Sequence, residues 1–185
     1  MKDKDTVVKI DQAEGAGSDP FVICPLYANL PPHEQMRAFQ RFPAKRKVVL
    51  STNIAETSVT IPGIKYVVDS GFSKIRTYKN STGVDALKVT PISKNSATQR
   101  AGRAGREQAG GKCFRIYTEE SHSELDENTV PEILRCNLSG IILNLKAMGI
   151  NDVSKMDFID KPDQQSFLTA FSTLIKLGAI DPSSA

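Results

Sequence analysis

The chain has 185 residues, 39% hydrophobic and 24% charged, with a formal net charge of +3. This suits one globular domain, or one and part of another, and so small a positive excess does not by itself argue for nucleic acid. Cys24, Cys113 and Cys136 form no CxxC or Cys/His cluster, which argues against zinc and a disulfide framework and for an intracellular protein. No apolar run reaches the roughly 20 residues that cross a bilayer, and no signal peptide is visible, so no membrane partner is expected.

Residues 1–20 are mixed in charge and Gly-rich and read as a flexible lead-in. Phe21 to Tyr27 reads as a short buried strand. Pro31-Pro32 then opens a helix expected to run to about Phe42, with proline in the first turn where its missing N–H costs nothing. Val48 to Ser51 is a second strand, continuously apolar until its last residue, as in a parallel sheet. Thr52 to Ile61 follows it with many small polar groups. That cluster sits where α/β folds bind ligands, at the end of a parallel strand; capping and turn chemistry is the alternative reading. Lys65 to Asp69 is a third strand. Phe72 to Tyr78 and Val84 to Val89 are extended segments joined by the turn sequence Asn80-Ser81-Thr82-Gly83.

The stretch Ser96 to Arg106 holds Arg100, Arg103 and Arg106 with only Ala and Gly between them. If it is helical, Gln99, Arg103 and Arg106 lie at i, i+4 and i+7 on one face, and Arg100 points about 100° away from Gln99. Gly102 and Gly105 together cost roughly 2 kcal/mol of helix propensity relative to Ala, but let another element come close. Paired guanidiniums match phosphate oxygens and can stabilise charge developing in phosphoryl transfer. A solvated basic helix is the alternative.

Lys112 to Tyr117 is a further strand. Beyond Glu119 the pattern turns helical: a short element at Pro131 to Leu134, then amphipathic helices over Asn137 to Met148 and Ser166 to Leu177, each followed by a glycine stop. A domain boundary is expected within residues 119–130.

Ser51-Thr52-Asn53-Ile54-Ala55-Glu56-Thr57-Ser58-Val59-Thr60-Ile61 resembles motif V of DEAH-box RNA helicases (superfamily 2), and Gln99-Arg100-Ala101-Gly102-Arg103-Ala104-Gly105-Arg106 matches their motif VI. Pro25 to Pro32, Lys112 to Thr118 and Pro131-Glu132-Ile133 are similar to the segments around those motifs. The resemblance covers roughly residues 21–181. It implies an α/β fold: a RecA-like parallel sheet with helices on both faces and a β-hairpin excursion over Phe72 to Val89, followed by a mostly helical, winged-helix-like segment. Residues 21–120 would be the second RecA-like helicase domain, and residues 121–185 the start of a degenerate winged-helix domain. The hairpin would help part or guide strands.

Residue by residue, the resemblance implies that Gln99, Arg103 and Arg106 reach the phosphates of ATP bound between two RecA-like domains. Arg103 and Arg106 would be arginine fingers, and Gln99 would position the phosphate or the attacking water. Thr60 would lie near the nucleotide with Ser58 as a sensor beside it. Thr52 and Asn53 would touch RNA phosphates, a contact that reads backbone rather than bases. Arg100 is expected to meet an intramolecular acid. Pro62 stands where several relatives carry Asp, so no carboxylate contact from that position is expected.

A helicase motor also needs a GxxxxGK[ST] phosphate loop and a metal-holding acidic box. Gly105 to Gly110 has the loop spacing, but Gly111 follows where Lys is required, and neither His33 nor His122 lies in an Asp-Glu-x-His sequence. The expected protein is therefore the C-terminal half of an ATP-dependent RNA helicase, inactive as an ATPase without a first RecA-like domain that carries the Mg²⁺ ligands. Its expected partners are ATP with Mg²⁺, single-stranded RNA held by its backbone, that first domain and an activator protein, in the nucleus or cytoplasm. A non-catalytic RNA- or partner-binding module is the alternative, and a P-loop phosphatase or kinase fails on the missing loop.

Overall fold

The computed structural model describes residues 21–79, 82–107 and 109–181. The expected lead-in at residues 1–20 lies outside them. Two compact units emerge: residues up to Ser73 with Pro91–Asn128, and Lys74–Thr90 with Thr129–Ala185.

In the first unit, β1 (Phe21–Leu26) pairs in parallel with β2 (Arg46–Ser51), with Ile23 opposite Val48 and Leu26 opposite Ser51. Alternation sends Val22, Cys24 and Leu26 to one face. Cys24 and Leu26 are buried there with Ala38, and Phe39, Val49, Ile54 and Val59 pack around them. The connection between the strands is shorter in helix than its sequence suggests. A single turn, α1 (Pro32–Gln35), passes into a 3₁₀ turn at Met36–Phe39, and Gln40 is already extended. The stop comes three residues ahead of Phe42, the position at which Pro43 disfavours helical backbone.

After β2 comes α2 (Ile54–Thr57), one turn long. A second parallel pair follows, β3 (Tyr66–Asp69) with β6 (Lys112–Arg115), in which Val67 faces Cys113 and Asp69 faces Arg115. Between them in sequence are β4 (Phe72–Lys79) and β5 (Val84–Pro91), which form a two-stranded sheet of their own, and α3 (Lys94–Ala101). Among the described residues the strands thus form three two-stranded sheets, β1–β2 and β3–β6 parallel, in place of the single parallel sheet expected. Of the helices described, α3 packs on β3 and β6. On one face of this pair, Tyr66, Val68, Phe114 and Ile116 are 51–68% exposed, although parallel sheets are usually covered on both sides.

The arginine stretch departs most from its expected form. Ser93 caps α3, its Oγ accepting the Ser96 N–H at 3.1 Å, but the helix ends at Ala101. The N–H groups of Arg103 and Ala104 reach back only three residues, to the carbonyls of Arg100 and Ala101. Gly105 takes a left-handed conformation, φ +64°, and its N–H leaves the ladder for the Ile64 carbonyl at 2.9 Å. Arg103 and Arg106 therefore project from a turn, and the expected shared helical face with Gln99 does not exist. The glycines are the cause: they make the turn affordable. Gly111 packs against this turn because it is itself glycine: a Cβ there would stand 2.5 Å from the Ala104 carbonyl oxygen.

The first unit ends with α4 (Glu119–Ser123), capped by Thr118. In the second unit, α5 (Ser139–Ala147) packs on α6 (Gln164–Lys176). Leu138, Ile142, Val153, Phe167, Ala170 and Leu174 form the core between them. Both helices lie within a few residues of their expected bounds, and Gly149 and Gly178, beyond their ends, adopt positive φ. Within this unit Arg135 meets β4: it donates to the Arg76 carbonyl at 2.5 Å, and its own carbonyl accepts the Tyr78 N–H at 2.7 Å.

Candidate functional site

The first unit is knotted around one carboxylate. Asp69 ends β3 and is only 2% exposed. A buried carboxylate must be paired and hydrogen-bonded, and this one is met from three directions. Arg100 Nη1 donates to Oδ1 at 2.7 Å, the Gly71 N–H to the same oxygen at 3.0 Å, and the Tyr117 hydroxyl to Oδ2 at 3.1 Å. Gly71 sits at φ +77°, and a Cβ there would stand 2.7 Å from the Tyr117 ring, so close packing as well as backbone conformation requires glycine. Burial pushes the Tyr117 phenol above its ordinary range, and the charge and hydrogen bond of Asp69 push it further. Burial followed by the Asp69 charge likewise raises the Cys113 thiol.

Arg100 holds a second acid. Its Nε donates to Glu56 Oε2 at 2.9 Å, and its Nη1 also reaches the Phe72 carbonyl at 3.1 Å. Burial works against the guanidinium charge, but the hydrogen bonds and charges of Asp69 and Glu56 outweigh it and hold Arg100 above its ordinary value. The expected intramolecular acid is thus two acids, on two elements.

Arg103 and Arg106 face the loop after α2. Arg103 Nη1 donates to the Val59 carbonyl at 3.4 Å. Arg106 Nη1 donates to Thr60 Oγ1 at 3.2 Å, which joins two of the sequence-predicted residues directly. The Gly63 N–H donates to Glu107 Oε2 at 3.0 Å, on the same turn. Arg106 is exposed; with one N–H of five engaged on Thr60, it keeps donors for an oxyanion. Ser58 caps the C-terminus of α2, exposed, its Oγ 3.5 Å from Thr57 Oγ1. Gln99 is turned to its own helix, Nε2 reaching Asn95 Oδ1 at 3.5 Å. Thr52 and Asn53 lie exposed between β2 and α2. The Thr52 N–H donates to the Leu26 carbonyl at 3.2 Å, which sets this pair at the C-terminal ends of β1 and β2. The carbonyl of Pro62, which brings no carboxylate, accepts Lys47 Nζ at 2.9 Å.

Sequence reasoning did not single out Glu56, Asp69 or Tyr117. The available signal was an acid closing the apolar strand Tyr66 to Asp69, where a buried charge demands a cation. An open hollow of about 600 Å³ is lined by Cys113, Arg115, Tyr117, Thr118, Glu119 and His122, none of them a sequence-predicted site residue. Among the described residues, no three His, Cys, Asp or Glu side chains are grouped to hold a metal ion, and no helix is long and apolar enough to cross a membrane.

The sequence model of the helicase conserved C-terminal domain matches residues 4–108. The chain belongs to this family. Over most of its length the chain is also similar to ATP-dependent RNA helicases of the DEAH-box type. It is 49% identical over 160 residues to the probable ATP-dependent RNA helicase DHX35 of Homo sapiens, covering 86% of this chain and 23% of that protein. It is 52% identical over 156 residues to the pre-mRNA-splicing factor ATP-dependent RNA helicase DEAH10 of Arabidopsis thaliana, covering 84% of this chain and 22% of that one. Two crystal structures of Escherichia coli HrpB are similar at 39% identity over 90% of this chain. One is described as a DEAH/RHA helicase, with a TM-score of 0.79 and 21% of its chain covered; the other is described as a DExH-box NTPase, with a TM-score of 0.74 and 20% covered. The helicase C-terminal domain here thus spans under a quarter of the length of these curated relatives, and its mixed α/β fold is like that of the matching part of HrpB.

Proposed function

We propose that this chain is the second RecA-like domain of an ATP-dependent RNA helicase, with the start of a winged-helix domain after it. Its arginines serve ATP hydrolysis on a phosphate cradle carried by a first RecA-like domain. The observation that carries this reading is the Arg106–Thr60 contact, which joins the two motifs at an exposed guanidinium. Arg103 and Arg106 are the arginine fingers. Thr60 orients Arg106, and Ser58 lies two residues away as a sensor of the same site. Gln99 is assigned to the phosphate or attacking water on resemblance; its present bond to Asn95, at 3.5 Å, is weak enough to exchange.

The donor set fits the triphosphate end of ATP: guanidinium forks and a hydroxyl are phosphate ligands. Bound ATP supplies the phosphoryl group that is transferred to water. These side chains neutralise charge that grows on its oxygens, in a geometry fixed before the reaction. The Mg²⁺ ligands are assigned to the first domain. Thr52 and Asn53, at the strand ends on α2, hold the backbone of single-stranded RNA. β4 and β5 act as a strand-guiding hairpin. An activator protein is a further proposed partner, and the nucleus or cytoplasm the proposed location. DEAH10 is named a pre-mRNA-splicing factor, which favours the nucleus.

The test is ATP turnover by this chain with and without single-stranded RNA. The expected result is none in either case, with turnover restored by adding the separately made first domain. RNA-stimulated turnover without that domain would mean that the phosphate cradle lies within this chain. For the RNA grip, Thr52→Ala in the parent helicase is expected to weaken RNA affinity and leave basal ATP turnover largely intact. Unchanged binding in a filter titration would remove Thr52 from the RNA site. A non-catalytic RNA- or partner-binding module is the second reading, favoured if the chain binds RNA in a salt-dependent way and the first domain restores no turnover.

A further inference from the structure

α2 is a poor helix. It has four residues, and Asn53 at its N-cap makes no side-chain cap. One turn does not hold itself in water, because nucleation costs more than a single turn returns. Two things secure it. Ile54 and Ala55 pack on the β1–β2 core, and Glu56 pairs with Arg100, both side chains at most 15% exposed. Packing fixes one side of the turn, and the ion pair fixes its rotation and its distance from α3.

The same contacts close a ring. The Arg100 guanidinium holds Glu56, while the Arg100 carbonyl accepts the Arg103 N–H at 3.1 Å and so begins the arginine turn. That turn returns to the segment leaving α2, Arg103 to the Val59 carbonyl and Arg106 to Thr60. At the other end of α2, the Asn53 carbonyl accepts the Glu56 N–H at 3.0 Å. A displacement at Thr52–Asn53 therefore reaches Glu56 through one main-chain hydrogen bond, and reaches the arginine turn through one ion pair. No other ionic link between α2 and α3 is seen among the described residues.

We infer that Glu56 and Arg100 are positioning residues, a strut through which RNA held at Thr52–Asn53 sets the placement of Arg103 and Arg106. The inference rests on the reading of those four residues given above. The two acids on Arg100 divide the work. Asp69 is fully buried and anchors the guanidinium to β3; Glu56, on the one-turn helix, is the arm that moves with α2. Lysine cannot replace this arginine, since one ammonium lacks the planar fork that reaches both acids.

The experiment is ATP turnover of the parent helicase against RNA concentration, for Glu56→Gln, Arg100→Lys and the double variant, with Arg106→Ala as the control. Glu56→Gln keeps the size of the side chain and removes its charge. The expected result is basal turnover within about twofold of wild type and a loss of RNA stimulation of about fivefold or more, the lower end of ordinary coupling between sites. Because the pair acts as one unit, the double variant should lose little more than the worse single variant. A role in stability only would lower the melting temperature and leave the stimulation ratio unchanged; that ratio, or independent losses in the double variant, overturns the strut. If Glu56→Gln does not fold, Arg100→Lys, which keeps a cation beside Asp69, carries the same comparison. Arg106→Ala separates the two readings. If it retains turnover, the assignment of the ATP site fails; if it is inactive while Glu56→Gln keeps full stimulation, only the strut fails.

Discussion

Arg106→Ala in the parent helicase is expected to lower ATP turnover roughly 10³-fold or more, the scale of a lost arginine finger. The side chain is exposed, bound through one nitrogen to Thr60, and no buried acid is left unpaired by its removal. Little of the effect should therefore come from unfolding, and the melting temperature should stay close to wild type. Arg106→Lys keeps the charge but loses the fork and should recover only part of the rate. Arg103 has its own contact, on the Val59 carbonyl, so Arg103→Ala gives an independent reading of the same site. A purified Arg106→Ala enzyme with near-normal kcat would remove this residue from the chemistry and leave it as a basic surface group.

Asp69→Ala should act oppositely, on stability first. Its carboxylate is buried and receives Arg100, the Gly71 N–H and the Tyr117 hydroxyl. Truncation leaves a largely buried guanidinium with only Glu56 as ionic partner, and breaking one side of such a pair costs about 3 kcal/mol or more. It also strands the Tyr117 hydroxyl, whose lost partner adds about 1 kcal/mol. Asp69→Asn keeps the shape and one acceptor oxygen and should cost less. Asp85→Ala is the reference: it breaks the Arg76–Asp85 pair, at 2.7 Å but with side chains 57% and 40% exposed, where solvent screening leaves little stability to lose. Urea unfolding of the chain measures both. If Asp69→Ala shifts the midpoint no more than Asp85→Ala, the carboxylate is not the anchor its burial makes it.

In the arginine stretch the residue types, their order and the glycines between them are local facts, and the expectation of a phosphate ligand rests on them. The shared helical face was an extrapolation of period, and it failed because Gly105 at φ +64° gives its N–H to Ile64 instead of to the helix. Arg103 and Arg106 instead reach the loop after α2 from a turn, while Gln99 stays on its own helix. The strands fared better, since short apolar runs bounded by turn residues carry their own signal, and β1, β2, β3 and β6 lie within two residues of their expected bounds. The helix after Pro32 stops at Phe39, three residues short of its expected end.

What the sequence determined by itself is the inventory: two motifs in order, an α/β alternation giving way to helices at the chain's later part, and the resemblance to DEAH-box helicases that the motifs carry. Which acids hold Arg100 was decided only by the fold. Glu56 and Asp69 stand 44 and 31 residues from it, and no local period relates positions so distant. The pairing exists because β3, β6 and α3 bury Asp69, and because a charge taken out of water must find its opposite wherever packing brings one. Thr60 meets Arg106 across 46 residues by the same route: hydrophobic packing of the strands and helices sets the approach, and the polar groups at their ends take the partners that the approach leaves within reach.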